Sequence, residues 1–118
     1  MEMFVLAGQA IIGIVYILGA VSDIIDREVL LQMLQRKRIP YENYLLPGAI
    51  GLKIVCGLAL IFNILTPVAA FFLAGFTLIA NVIFHPFWIS PANERKKEYF
   101  AFVFNMAIIG GLMVIVGR

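Results

Sequence analysis

The sequence has few charged residues. They make up 14% of its 118 positions, against about 25% in soluble domains, whereas hydrophobic residues reach 63%, against about 45–50%. So few polar side chains cannot cover the surface of a domain in water. The composition therefore excludes an ordinary soluble domain and favours a membrane protein.

Reactive side chains are equally scarce. The single cysteine, Cys56, has no partner for an internal disulfide, and the single histidine, His85, excludes bis-histidine haem ligation within one chain. The sequence contains no HExxH motif, carboxylate cluster, Ser-His-Asp constellation or glycine-rich phosphate loop. It predicts no metal site, no intrinsic cofactor and no self-contained catalytic motif. Redox chemistry here would need a quinone or a partner protein, and whether the chain turns over a substrate stays open.

Long apolar runs fill most of the chain, at about residues 4–21, 45–65, 67–84 and 99–116. A membrane-spanning helix needs about 20 apolar residues, and Lys53 is the one full charge inside these runs. Continuous apolarity favours helices over a β-barrel. We predict an all-α integral membrane four-helix bundle, formed as a single membrane domain over residues 1–118. The first run lacks a basic leader and a small-residue cleavage site, so we expect it to be a retained span.

The connection between the first two spans has a helical pattern at about residues 23–38. One side carries apolar residues and the other polar ones; the apolar set is Ile25, Val29, Leu30, Met33 and Leu34. This pattern predicts an amphipathic helix in the membrane interface that ends before Pro40. The alternative is a polar continuation of the first span. The second and third spans should form a hairpin around Pro67.

The basic residues are distributed unevenly between the two predicted sides. Seven lie in the first and third connections, and on the other side only Arg118 is basic; the seven are Arg27, Arg36, Lys37, Arg38, Arg95, Lys96 and Lys97. The positive-inside rule then places both connections in the cytoplasm and both termini outside. We expect the basic connections to face the lipid bilayer rather than a nucleic acid.

Some expectations concern local contacts. Ser90 and Asn93 are candidate N-caps for the last helix. Small-xxx-small patterns at Ala70/Ala74 and Ala107/Gly111 are typical of close helix contacts, and they also permit a homo-oligomer.

Polar residues of all four predicted spans fall at a similar depth. Counted at about 1.5 Å per residue from the cytoplasmic ends, they lie roughly 6–12 Å below one face. Together with residues at the span ends they define a predicted ligand pocket, formed by Tyr16, Asp23, Lys53, Asn81, His85, Trp88 and Asn105. Gln9 and Asn63 lie towards the other side.

Two interpretations of this polar set are open. In the first, Lys53 pairs with an acidic residue (Asp23, Asp26 or Glu98) and joins His85 in binding or proton handling. In the second, Lys53 extends to the headgroups and His85 caps a helix end. Two asparagines alone would more often fix helix contacts than bind a ligand.

Two segments carry a resemblance to a known family. The stretch Asn81-Val-Ile-Phe-His-Pro-Phe-Trp88 and the later Phe102-Val-Phe-Asn-Met-Ala-Ile-Ile-Gly-Gly111 resemble the DoxX family of small four-span bacterial membrane proteins. That family usually has His-x-Phe-Trp after the third span and a Lys-Asn-Leu-Ala-type motif opening the last. The chain departs from the pattern: Lys53 replaces a frequent Glu, Phe104 a Lys, and Val21-Ser22-Asp23 a Gly-Lys pair. This indicates a charge-reversed pocket in which Asp23 and Lys53 exchange roles.

The resemblance implies two different functions. The family is named for a subunit of a thiosulfate–quinone oxidoreductase, which implies an accessory subunit of a membrane redox or oxidative-stress complex. Such a subunit would bind a quinone or similar amphipathic molecule and contact soluble or membrane redox partners in the bacterial cytoplasmic membrane. Distant eukaryotic relatives imply instead a non-enzymatic chaperone, cargo receptor or lipid-binding scaffold. A channel is disfavoured because the outer half offers little polar lining.

Overall fold

The computed structural model describes residues 2–118, which form helices and one 3₁₀ turn and contain no strand. The elements are α1 (Glu2–Ile25), α2 (Arg27–Arg36), α3 (Glu42–Ile61), α4 (Thr66–Phe84), the 3₁₀ turn (Phe87–Ile89) and α5 (Ala92–Val116). Four helical segments are long and apolar enough to cross a membrane: Glu2–Ile25, Glu42–Ile61, Thr66–Ile89 and Ala92–Val116. The predicted all-α fold with four spanning helices is confirmed.

The contacts divide the chain into two compact units, Met1–Leu65 and Thr66–Arg118, here called the first and second units. The first contains α1, α2 and α3, and the second contains α4, the 3₁₀ turn and α5. The predicted single domain over the whole chain stays a prediction.

In the first unit, α1 and α3 pack as antiparallel helices around two glycines. A Cβ atom added to Gly13 would lie 2.4 Å from the carbonyl oxygen of Gly57, and one added to Gly57 would lie 2.9 Å from the carbonyl oxygen of Gly13. Real side chains do not approach a backbone oxygen so closely, so both positions require glycine at this separation. Neither glycine belongs to the small-xxx-small patterns noted in the sequence.

Helix α2 is a separate helix rather than an extension of α1. The two are interrupted at Asp26, and α2 packs against α3. Leu34 of the predicted apolar face is buried, whereas Ile25 and Val29 are exposed. The predicted helix between the first two spans is therefore present over a shorter range, and its position in the membrane interface stays a prediction.

Helices α2 and α3 end in the same way. Arg38 and Asn63 have positive φ angles of 56° and 58°. In each case the next residue donates its N–H back into the last turn: Ile39 to the Leu34 carbonyl at 3.1 Å, and Ile64 to the Ala59 carbonyl at 2.9 Å. This is the Schellman arrangement, in which asparagine is a common left-handed residue. The stop at α2 comes before Pro40, as predicted.

In the second unit, α4 and α5 are antiparallel, and two prolines lie in their connection. Pro86 follows the end of α4, and Pro91 occupies the N-cap of α5. The predicted caps are wrong: no side chain caps α5, and the Ser90 hydroxyl donates to the Pro86 carbonyl at 2.9 Å. Pro91 takes the cap position because its fixed φ suits the entry into a helix.

Candidate functional site

The strongest polar contact in the first unit joins α1 to α3. Lys53 Nζ lies 2.6 Å from Asp23 Oδ2, and the two side chains are only 17% and 21% exposed. A Cβ atom on Gly19 would lie 3.9 Å from that ammonium, so α1 presents a small residue where the lysine passes. Of the three acidic candidates named from the sequence, Asp23 is the partner.

This pair explains how a lysine is accommodated within a spanning helix. A single charge near the centre of a membrane helix costs about 2.5–3.5 kcal/mol on the insertion scale. An opposite charge at hydrogen-bond distance offsets part of that cost. Of the two interpretations that the sequence left open for Lys53, the structure supports pairing with an acidic residue, and that residue is Asp23. Tyr16, another predicted site residue, is buried at 8% exposure on the same helix as Asp23.

A second polar contact in this unit joins residues that the sequence set apart from the pocket. Gln9 Nε2 donates to Asn63 Oδ1 at 3.1 Å, and Gln9 is almost fully buried. Asn63 is the left-handed residue that ends α3. The bond therefore ties α1 to the end of α3, a structural role.

In the second unit, His85 forms a contact that was not predicted from the sequence. His85 Nδ1 lies 2.8 Å from Glu98 Oε2, with the side chains 32% and 22% exposed. When the Glu98 carboxylate is ionised it only accepts hydrogen bonds, and Nδ1 of His85 is then the donor. The sequence named Glu98 only as a candidate partner for Lys53. The antiparallel hairpin, which places the end of α4 beside the start of α5, was the available signal for the correct pairing.

One helical turn before His85, an amide network links α4 to α5. Asn81 Nδ2 donates to the Phe102 carbonyl at 3.1 Å, and Asn105 Nδ2 donates to Asn81 Oδ1 at 3.1 Å. Asn81 is 1% exposed. Its amide uses both its donor and its acceptor to fix the register of the two helices. This arrangement favours the interpretation that the asparagines hold helices together.

Trp88 lies beyond Pro86 in a cluster of aromatic rings. Phe87 makes edge-to-face contacts with Trp88, Tyr99 and Phe102 at centroid distances of 5.2, 5.2 and 5.3 Å. Trp88 and Tyr99 are about half exposed, at 50% and 47%. Half-exposed rings at a helix end are typical of residues at a membrane–water interface.

The predicted site residues thus form two groups, each within its own unit. The first unit brings together Asp23 and Lys53, with Tyr16 on the same helix as Asp23. The second brings together Asn81 and Asn105, and His85 and Trp88 lie between these two in the sequence. A common ligand pocket formed by all seven stays a prediction. Two described cavities of the first unit, at the α1–α2 junction and between α2 and α3, are lined by none of the seven.

Fold and site together define a class: a multi-span helical membrane protein whose few polar side chains are paired within helix hairpins. The sequence profile of the DoxX family matches residues 4–86. The chain belongs to the DoxX family.

A full-length relative is similar to nearly the whole chain. The inner membrane protein YqjF of Escherichia coli (strain K12) is 29% identical over 114 residues, covering 97% of this chain and 82% of that protein. No solved structure matches the chain. The family match includes Asn81 and His85, and the Phe102–Gly111 segment of the resemblance lies beyond it.

Proposed function

We propose that this DoxX-family protein is an accessory subunit of a membrane redox or oxidative-stress complex that binds a quinone or similar amphipathic molecule. The observation that carries the proposal is the His85–Glu98 pair, at 2.8 Å and only partly exposed. A histidine changes charge between about pH 5 and 8, and a hydrogen-bonded carboxylate can exchange protons with it. The pair lies where α4 ends and α5 begins, and at the end of a membrane span a dissolved quinone and water would both have access to it.

The proposed mechanism divides the chemistry between partners. Reduction of a quinone to a quinol takes two electrons and two protons. The sequence provides no group that carries electrons, so a soluble or membrane partner protein supplies them. His85 and Glu98 would hold and transfer protons at a quinone oxygen. The Asp23–Lys53 pair would provide a fixed dipole in its own helix pair.

The test is to measure bound quinone. The protein is purified from native membranes in mild detergent, and extracted organic molecules are quantified by chromatography and mass spectrometry. Loss of the hydrogen bond from His85 in His85→Ala should weaken quinone affinity roughly tenfold or more, which appears as lower occupancy when quinone is below saturation. Glu94→Gln is the matched control, because Glu94 is an exposed acid in the first turn of the same α5.

The contrary outcomes are clear. Wild-type protein without any quinone, or His85→Ala with wild-type occupancy, would contradict the proposal.

A second candidate function is a non-enzymatic chaperone or lipid-binding scaffold. It is favoured by α2, which packs against α3 yet leaves the apolar side chain of Val29 55% exposed. In this case His85→Phe should retain biological activity, whereas Val29→Glu should abolish it. Val29 is a better position for this substitution than Leu34. Leu34 is 6% exposed, so its replacement by Glu would disrupt packing as well as the exposed apolar face. Growth of a deletion strain under oxidant stress, complemented by each variant, is the measurement.

We also infer the orientation of the chain in the bacterial cytoplasmic membrane. The support is the excess of basic residues in the first and third connections and the similarity to a protein named as an inner membrane protein. Alkaline phosphatase fused after Arg118 should be active, and a fusion within residues 37–41 should be inactive. The reverse pattern would invert the topology.

A further inference from the structure

A groove in the first unit lies between α2 and α3, apart from every predicted site residue. Its volume is about 340 Å³, within the range of about 300–1,000 Å³ that is typical of ligand pockets. The lining residues are Arg27, Leu31, Asn43, Leu46, Pro47, Ile50 and Gly51. Arg27 and Leu31 come from α2 and the others from α3.

The lining has a polar and an apolar part. Arg27 and Asn43 provide a cation and an amide, and the remaining lining residues are apolar. From Asn43, in the first turn of α3, to Gly51 the helix rises about 12 Å. The groove therefore combines polar groups beside the start of a spanning helix with an apolar wall along its axis. That combination fits a molecule with a headgroup and a hydrocarbon chain.

Arg27 is available to an external anion. Of the seven described residues that line the groove, it alone carries a charge. Asp23, one helical turn earlier, is held by Lys53 at 2.6 Å. The Arg27 side chain is exposed. A guanidinium binds phosphate through two parallel hydrogen bonds, so a phosphodiester is the complementary anion.

Pro47 removes one backbone donor from the α3 side of the groove. Pro47 lies inside the helix and has no N–H, so it cannot donate to the carbonyl of Asn43 four residues earlier. The helix wall beside it is open as well. A Cβ atom added to Gly51 would meet no other atom within 4 Å. The groove can therefore accept a chain against α3 without a rearrangement of side chains.

We propose that this groove binds one anionic glycerophospholipid, with its phosphate on Arg27 and Asn43 and one acyl chain along Leu46, Ile50 and Gly51. The bilayer supplies such lipids at the interface, and basic pockets beside spanning helices bind their headgroups. Binding would hold α2 on α3 and make the position of α2 depend on lipid composition. The site does not involve His85 and stands independently of the quinone proposal.

The experiment measures lipid binding to the delipidated protein in mild detergent by native mass spectrometry. Phosphatidylglycerol is the probe, phosphatidylcholine with the same acyl chains is the zwitterionic comparison, and inorganic phosphate tests the headgroup alone. Arg27→Gln removes the cation, and Arg36→Gln is its control on the same helix. Gly51→Leu fills the groove, and Gly48→Leu is its control, because a Cβ atom at Gly48 also meets nothing within 4 Å.

We expect phosphatidylglycerol to bind at least roughly tenfold more tightly than phosphatidylcholine, and Arg27→Gln to remove that preference. Gly51→Leu should weaken binding of both lipids, whereas the two controls should behave as wild type. Equal binding of the two lipids, or an unchanged Arg27→Gln, would overturn the proposal. Displacement of the lipid by inorganic phosphate alone or by an added quinone would also overturn it. Gel filtration and circular dichroism check the fold of each variant. If Gly51→Leu misfolds, the lipid preference of Arg27→Gln compared with that of Arg36→Gln tests the proposal on its own.

Discussion

The two units hold their antiparallel helices together by different means. In the first, the backbones of α1 and α3 approach each other at Gly13 and Gly57. The Asp23–Lys53 charge pair lies on one side of this approach, and the Gln9–Asn63 amide contact lies on the other. In the second, α4 and α5 are linked by side chains: the Asn81–Asn105 network, the His85–Glu98 pair and the rings around Phe87.

The difference follows from how helices associate in lipid. The hydrophobic effect does not drive one apolar helix against another there, so close packing and hydrogen bonds must do so. Close packing demands the smallest residues, whereas hydrogen-bonding side chains need space between the helices. The first unit should therefore be sensitive both to added volume and to loss of its charge pair, and the second to lost hydrogen bonds.

The largest decrease in the free energy of unfolding should come from breaking the Asp23–Lys53 pair. Lys53→Met leaves the carboxylate of Asp23 without its cation in a partly buried position, which should lower the free energy of unfolding by about 3 kcal/mol. Unfolding in mild detergent with increasing SDS, followed by far-ultraviolet circular dichroism, measures it.

The control for this pair exchanges the two charges. Asp23→Lys combined with Lys53→Asp restores opposite charges across α1 and α3 and should recover most of the loss. A Lys53→Met variant as stable as wild type would show that the pair contributes nothing to the fold.

Added volume between α1 and α3 should have the next largest effect. In Gly13→Ala the new methyl group would meet the Gly57 carbonyl oxygen at 2.4 Å, so the helices must separate, at a cost of about 2 kcal/mol. Gly8→Ala is the matched control, because a Cβ atom there meets nothing within 4 Å. Alanine also forms helix better than glycine, so Gly8→Ala should be neutral or stabilising. Equal stability of the two variants would contradict the close approach.

Sequence reasoning succeeded where the signal was local or repeated. Apolar runs of bilayer length predicted the four spans, and Pro40 predicted the end of α2. The cost of an isolated charge in lipid made an acidic partner one of the two expected outcomes for Lys53. Each of these conclusions needs only one stretch of chain and one physical rule.

Contacts between distant stretches were harder to predict. Counting residues along a span predicts which side chains lie at the same membrane depth, but it does not predict which face of the helix they occupy. Glu98 was therefore considered for Lys53 although its partner is His85. Gly13 went unnoticed because a lone glycine in an apolar run shows no pattern until Gly57 lies opposite it. The α2–α3 groove depends on how two helices pack, and no single segment contains that information.

Loss of hydrogen bonds in the second unit should have a smaller effect. Asn81→Leu removes the bonds to the Phe102 carbonyl and to Asn105. Because interhelical hydrogen bonds in membranes average about 0.6 kcal/mol each, the loss should be about 1 kcal/mol. Asn105→Leu removes only one of these bonds and should cost about half as much. The same SDS titration compares the two, and a larger loss for Asn105→Leu would mean that Asn81 is not the centre of the network.

The smallest decrease in the free energy of unfolding should come from the aromatic cluster around Phe87, because its half-exposed rings contribute little. Trp88→Leu loses the edge contacts to Phe87 and Phe102, at 5.2 and 5.8 Å between centroids, but Trp88 is already 50% exposed. Such aromatic pairs contribute about 0.5–1.5 kcal/mol when well packed, so a half-exposed ring should cost about 0.5 kcal/mol. Trp88→Phe keeps an aromatic ring in place and should be indistinguishable from wild type in the SDS titration. Were Trp88→Leu to destabilise the protein as much as Asn81→Leu does, ring packing rather than the amide network would be the main link between α4 and α5, and the contrast between the two units would have to be restated.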